Sequence, residues 1–285
     1  MALKPGKRLL TIITATFNAV EHLPFTIKSI RTQTYEHIQW IVVDGASVDG
    51  TVDLLKQNED IIDYWISEPD NGIYDAWNKA CLHVRGEWVL FIGAGDELAS
   101  ATMLAKMSEF LATAYPDYEI VYGKLQRLSE QKRSVLEEIG RPWSEMKGRW
   151  ERFQPAMPIH PAVFHHRTLI EGAQTFDPRF KVAADSHFML KSILRKDPLY
   201  IPIVIDKMPL GGFSGRLSSF RPHVSDIWAI NRDLGVLPPW NHSLYEYVKL
   251  YGRTLLSRFC SARLFSLLTD SYRVITGKAR LWTIE

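Results

Sequence analysis

Three carboxylates in this chain stand where chemistry could be done. Asp96 follows the apolar run Trp88–Ile92 inside Gly93-Ala94-Gly95-Asp96-Glu97. A carboxylate in such a turn suits a hard divalent cation that keeps several waters and shares phosphate oxygens. The flanking glycines let backbone and phosphate approach closely. The same placement suits a turn Asp that caps a helix near Ala101. Asp44 likewise ends the run Ile38–Val43. It could accept a hydrogen bond from a nucleobase N–H or a ribose hydroxyl, or serve as a turn residue. Asp185 follows Val182-Ala183-Ala184 at the head of a helical stretch. The helix dipole favours its charged form there. It reads equally as a cap or as a general base.

The histidines make a weaker case. His160, His165 and His166 cluster on what reads as one strand. Alternation would put His160 and His166 on one face and His165 on the other. No third ligand at metal spacing accompanies them, so a zinc site is not expected. The two cysteines, Cys81 and Cys260, lie far apart and form no disulfide framework.

Strands alternating with helices must position these carboxylates. Leu9–Ala15, Ile38–Val43, Ile61–Ile66, Trp88–Ile92 and Glu119–Tyr122 read as strands. Helical patterns fall at Glu21–Gln33, with Asn18 as its cap, and at Thr51–Gln57, Ile73–Val84 and Ala101–Ala112. Asp70-Asn71-Gly72 is a strong turn signal. That alternation predicts a parallel sheet covered on both faces. In such folds ligands bind beyond the carboxyl ends of the strands. Those ends carry Thr16 and Asn18, Asp44, Glu68 and Asp70, and Asp96. Residues 124–158 read as short strands and a long loop. Further strands fall at His160–His165 and Tyr200–Ile205, and a helix at Ala184–Leu194. No GxGxxG follows the first strand and no GxxxxGK[ST] occurs, so the Rossmann and P-loop readings lack their motifs.

The chain has 285 residues, of which 46% are hydrophobic and 23% charged. Those values exclude a disordered or collagen-like polymer. A formal charge of +2 makes no general case for nucleic-acid binding. No apolar run reaches the ~18–20 residues of a membrane span. A cytoplasmic protein is expected, either free or peripheral on the inner face of the cell membrane. Residues 244–285 hold seven Lys and Arg against three Asp and Glu, interleaved with Tyr, Leu and Phe. From Ser243 to Leu268 this reads as a basic, aromatic, amphipathic helix. It either lies on an anionic membrane surface, with 244–268 as the contact, or packs on the domain.

The ordered motifs resemble the family 2 glycosyltransferases of the GT-A fold, of the bacterial type that builds capsule, exopolysaccharide and O-antigen. They are Thr11-Ile-Ile-Thr-Ala-Thr-Phe-Asn18, Gln33-Thr-Tyr35, Trp40-Ile-Val-Val-Asp-Gly-Ala-Ser-Val-Asp-Gly-Thr51, Ser67-Glu-Pro-Asp-Asn-Gly-Ile-Tyr-Asp-Ala-Trp-Asn-Lys79, Gly86-Glu-Trp-Val-Leu-Phe-Ile-Gly-Ala-Gly-Asp96, Phe176-Asp-Pro-Arg-Phe-Lys-Val-Ala-Ala-Asp185 and Gly211-Gly-Phe-Ser214.

The resemblance implies an α/β fold of GT-A type, a mostly parallel central sheet flanked by helices with a helical C-terminal extension. It implies a glycosyltransferase domain over 1–215, with a nucleotide-sugar half at 1–123 and an acceptor and base half at 124–215. Residues 216–285 form the extension. Thr16, Phe17, Asn18 and Asp44 would surround base and ribose, with Glu68, Asp70 and Asn71 near the nucleotide-sugar. Asp96 would hold Mg²⁺ or Mn²⁺ against the donor diphosphate. Asp185 would deprotonate the acceptor hydroxyl in an inverting transfer. The acceptor would be a glycan or a polyprenyl-diphosphate-linked oligosaccharide. Two motifs depart from the family pattern. Asp44-Gly45-Ala46-Ser47 replaces a paired-aspartate motif, and Ala94 and Gly95 stand where other members carry Asp. The rival readings are a nucleotide-sugar-binding protein without turnover and, more remotely, a nucleotidyltransferase.

Overall fold

The structure, a computed structural model, describes residues 9–210, 220–275, 280 and 283. Four parallel strands come first: β1 (Leu10–Thr16), β2 (Ile38–Asp44), β3 (Tyr64–Ser67) and β4 (Trp88–Gly93). Then follow β5 (Glu97–Leu98), β6 (Ile120–Leu128), β7 (Val135–Ile139), the hairpin β8 (Trp150–Glu151) and β9 (Gln154–Pro155), β10 (Val163–His166) and β11 (Leu199–Pro209). The main sheet runs in the order β3-β2-β1-β4-β10-β6-β11-β5, with β7 beside β6. β10 is antiparallel to both β4 and β6, whereas β6 and β11 are parallel. The sheet is therefore parallel on one side and mixed on the other. Strands from both sides of residue 123 share it.

The helices are α1 (Leu23–Arg31), α2 (Thr51–Gln57), α3 (Ile73–Cys81), α4 (Met103–Ala114), α5 (Trp143–Met146), α6 (Ala184–Ile193), α7 (Phe220–Asp233), α8 (Trp240–Phe259) and α9 (Ala262–Ile275). Alternate residues of the central strands feed two cores. Ile13, Ile41, Val43 and Phe91 face α3 and α6. Ile12, Trp40, Val42 and Leu90 face α1 and α4. This two-sided burial explains why the strands read as continuous apolar runs. Two buried indoles satisfy their donors: Trp40 Nε1 donates to Thr14 Oγ1 at 3.1 Å and Trp88 Nε1 to the Leu111 carbonyl at 3.1 Å.

Gly86, in the fifth motif, lets the chain cross tightly behind β1. A Cβ there would lie 2.6 Å from Thr11 N and 2.9 Å from Leu10 C, both backbone atoms. Gly86→Ala is expected to destabilise the fold by roughly 1–3 kcal/mol, read as a lower denaturant midpoint. An unchanged midpoint would show that β1 and this turn can separate without loss.

Some boundaries moved. The first helix starts at Leu23 behind His22, and Asn18 does not cap it. Asn18 adopts φ 47° and bonds to the next loop instead. The third strand is shorter, Tyr64–Ser67, because residues 58–61 turn first. Residues 124–158 hold a long extension of β6 and its hairpin with β7. His160–Ala162 is a 3₁₀ turn, so strand alternation starts only at Val163. The facing of the histidines is therefore reversed. His160 and His165 lie together, ring centroids 5.1 Å apart, while His166 stacks on Tyr115 at 3.7 Å. The Gly211–Ser214 motif lies outside the described residues.

Candidate active site

Parallel pairing brings the strand ends into one row. Thr16 is level with Asp44, Asp44 with Ser67, and Ala15 with Gly93. Asp44 is fully buried. Its carboxylate accepts from Ser47 N at 2.8 Å, from Ser47 Oγ and from Ser67 Oγ at 2.6 Å. It thus holds the loop after β2 in shape.

That loop is laced to the one after β1. Asn18 N donates to Ser47 Oγ at 2.7 Å, and Val48 N donates to Asn18 Oδ1 at 3.0 Å. Ala19 N donates to Thr51 Oγ1 at 2.8 Å, and Val20 N to Asp49 Oδ2 at 3.0 Å. The hydroxyl of Thr51 holds the Asp49 carboxyl below its ordinary range. Two apolar side chains stand out on this rim, Phe17 at 65% exposure and Val48 at 91%. A flat aromatic ligand can stack there. Gly45 keeps the floor open: a Cβ would come within 2.8 Å of Asp70 Oδ2 and 3.3 Å of the Phe17 ring. Thr16 Oγ1 is buried beside it with no hydrogen-bond partner.

The segment after β3 is equally ordered. Glu68 pairs with Lys79 at 2.8 Å, and Lys79 also donates to the Pro69 carbonyl at 3.0 Å. Asp70 Oδ1 accepts from Gly72 N at 2.8 Å. Asn71 N and Nδ2 both donate to Asp75 Oδ2 in the first turn of α3. So Glu68 and Asn71 chiefly shape the loop, whereas Asp70 Oδ2 points toward Gly45.

Asp96 is buried and folds back to accept from Gly93 N at 2.7 Å. Burial pushes its carboxyl up to about 7, against the pull of the Gly93 amide and of Arg133. A second carboxyl that the motif reading missed lies in its field. Asp206 on β11 is fully buried, and neither of its oxygens has a hydrogen-bond partner. Burial, then repulsion from Asp96 and Glu97, raises it well above the carboxylate range. Its one sequence signal is a lone acid inside the apolar run Ile201–Met208. Arg133 closes the turn, donating to the Gly95 carbonyl at 2.8 Å and to Glu97. Among the described residues no group of three or more His, Cys, Asp or Glu gathers as a metal site. Two adjacent desolvated carboxyls, one with orphaned oxygens, nevertheless fit a cation that takes its remaining ligands from phosphate and water.

Asp185 sits in the first turn of α6. Its Oδ1 accepts from Tyr74 Oη at 2.9 Å and from Ser186 N at 2.8 Å. Tyr74 Oη is also 2.9 Å from the Val182 carbonyl. Tyr74 belongs to α3, which starts directly after the Asp70 loop, so one tyrosine couples the two regions. Burial first, and then the charge of Asp185, push the Tyr74 hydroxyl well above its usual range, so it acts as a donor. Asn78 on the same helix fixes the following turn, pairing with the Phe176 amide at 2.8 Å and its carbonyl at 2.7 Å. Asp226 on α7 accepts from Val182 N at 2.8 Å and so steadies the approach to α6. Neither Tyr74, Asn78 nor Asp226 carries a local signal of such a role.

The glycosyl transferase family 2 model matches residues 11–171. An uncharacterized glycosyltransferase of Mycobacterium tuberculosis is 31% identical over 196 residues, 68% of this chain and 72% of that one. A PGL/p-HBAD biosynthesis glycosyltransferase of Mycobacterium bovis is 29% identical over 188 residues, 64% and 69% of the two chains. Among solved structures, the mannosyltransferase PcManGT of Pyrobaculum calidifontis, in complex with GDP-Man and Mn²⁺, superposes with a TM-score of 0.60 at 19% identity. It covers 94% of this chain and 80% of its own. S. aureus TarS 1-349 in complex with UDP-GlcNAc gives 0.63 at 16%, covering 84% and 69%.

Proposed function

The chain belongs to glycosyl transferase family 2 and is a glycosyltransferase, and we propose that it is an inverting one using a nucleoside-diphosphate-sugar. The base would stack at Phe17 and Val48, with Thr16, Asn18 and Asp44 shaping its niche. Asp70 Oδ2, beside Gly45, would meet the ribose or the sugar, and Glu68 and Asn71 would hold that loop. Asp96, with Asp206 behind it, would hold Mg²⁺ or Mn²⁺ against the diphosphate. When bound, that cation neutralises charge on the leaving group. Asp185 takes the proton from the acceptor hydroxyl. The hydroxyl oxygen then bonds to the anomeric carbon as the bond to the diphosphate breaks. The carrying observation is the Tyr74–Asp185 hydrogen bond, which ties the base to the helix that starts at the Asp70 loop.

The test is a thermal-shift panel of UDP-, GDP- and dTDP-sugars with and without Mn²⁺ or Mg²⁺. One nucleotide is expected to raise the midpoint in a metal-dependent way that Asp96→Ala abolishes. No shift with any of them would remove the donor site.

The acceptor reading is a lipid-linked glycan in cell-surface polysaccharide assembly, met at the inner membrane face. The relatives' names include PGL/p-HBAD and teichuronic acid biosynthesis. Among the described residues no helix is long and apolar enough to cross a membrane. The α8–α9 hairpin instead exposes an apolar stripe. Trp240, Leu244, Val248 and Tyr251 recur at helical spacing on α8, with Trp240 at 80% exposure. The acids Glu246 and Asp270 are buried, and residues 244–285 hold seven Lys and Arg against three Asp and Glu. The side chains of Arg253, Arg258 and Arg263 lie outside the described ones. A surface of this kind suits anionic lipid. Replacing Leu244 and Val248 by Glu is expected to weaken sedimentation with phosphatidylglycerol vesicles without lowering the melting midpoint. Unchanged sedimentation would sink the membrane contact.

A further inference from the structure

A cluster of arginines lies where α9 meets the β6–β7 hairpin. Arg127 near the end of β6 and Arg273 on α9 converge on Glu137 of β7. Arg127 Nη1 is 3.3 Å from one Glu137 oxygen and Arg273 Nη2 is 3.1 Å from the other. Arg152 brings a third guanidinium into the same field. It sits at the tip of the β8–β9 hairpin, with φ at 58°, a conformation uncommon outside glycine. It makes no ion pair among the described residues. Arg127 Nε is buried and has no hydrogen-bond partner.

The field of the cluster reaches the surroundings of Asp185: Arg152 acts on His223 of α7 with one sign, and Asp185 and Asp226 with the other. Burial disfavours the charge on Arg127; Glu137 opposes this, and Arg152 and Arg273 add to it. One carboxylate, Glu137, faces three guanidiniums, and their planar forks match phosphate oxygens. A buried orphan donor is tolerated where a ligand completes a site.

We propose that Arg127, Arg152 and Arg273 form a diphosphate site for the acceptor, a lipid-linked glycan. Its lipid runs toward the α8–α9 stripe and its terminal sugar faces Asp185. This rests on the transferase reading above. The donor also carries a diphosphate, so the test must separate the two sources.

Farnesyl diphosphate serves as the lipid probe and the nucleoside diphosphate selected in the donor panel as the other, both titrated by calorimetry into the full chain. Arg152→Ala removes an exposed side chain and should fold normally. It is expected to weaken farnesyl diphosphate roughly ten- to hundredfold, as loss of a charge-assisted contact does, and to leave the nucleotide unchanged. Arg152→Lys should recover only part of that loss. Equal losses for both probes would reassign the cluster to the donor and overturn the proposal. Unchanged binding of both, or no farnesyl diphosphate binding by the unaltered chain, would reduce the cluster to a tie between α9 and the sheet. Failure of the transferase reading looks different: no turnover, with Arg152-dependent binding intact.

Discussion

Asp185→Asn lowers turnover by on the order of 10²–10⁴-fold and leaves donor binding nearly unchanged. That range is what a positioned general base contributes. The substitution is close to isosteric. The amide oxygen can still accept from Tyr74 Oη and from Ser186 N, which the carboxylate does at 2.9 and 2.8 Å. What vanishes is the charge and proton affinity of the second oxygen. The residues proposed to meet the donor lie at the ends of β1 to β4 and are untouched. Single-turnover kinetics and donor titration on the same preparation separate the two quantities. Retained turnover would remove Asp185 from the chemistry, and a parallel loss of donor affinity would make it a structural residue. Tyr74→Phe is the companion. It leaves the carboxylate but frees its rotamer, so turnover should fall by less than in Asp185→Asn.

The second large effect concerns stability against acid. His160 and His165 are buried among Trp77, Phe91, Phe176 and Phe188, and none of their ring nitrogens has a hydrogen-bond partner. Burial lowers His160 to about 4, partly opposed by Asp185. Burial, then the neighbouring His160, takes His165 well below its usual value. Unfolded histidine titrates near 6.5, so below that pH the unfolded chain binds more protons than the folded one. The contribution is complete above about pH 6.5 and is lost as pH falls toward 4. By about pH 5 each histidine forfeits ~2 kcal/mol. The raised Asp96–Asp206 pair acts with the opposite sign over an overlapping range. The clean observable is therefore a difference. His165→Phe, placed against Phe91 and Phe188, should gain ~2 kcal/mol relative to the unaltered chain between about pH 6.5 and pH 5. Parallel denaturation profiles at the two pH values would mean that His165 is charged or solvated in the folded state.

Much of the site was legible because it is local. An apolar strand that runs into an Asp within a glycine-containing turn announces the carboxyl edge of a sheet, and Asp44 and Asp96 lie there. The motif order also carried the family. The rest was not legible because it depends on chain segments far apart. Tyr74 meets Asp185 across 111 positions and Asn78 meets Phe176 across 98. No spacing rule reaches that distance.

Periodicity and turn chemistry alone determined that strands and helices alternate, that both sheet faces are covered, and where the polar strand ends fall. Those follow from side-chain direction and backbone propensity, which act over a few residues. Tertiary structure alone decided which polar groups face one another. It turned Asp44 and Asn18 into loop fasteners, set Asp206 behind Asp96, and reversed the facing of the histidines through a single 3₁₀ turn. Burial and charge proximity are properties of neighbours in space, and the chain brings those neighbours together only when it packs.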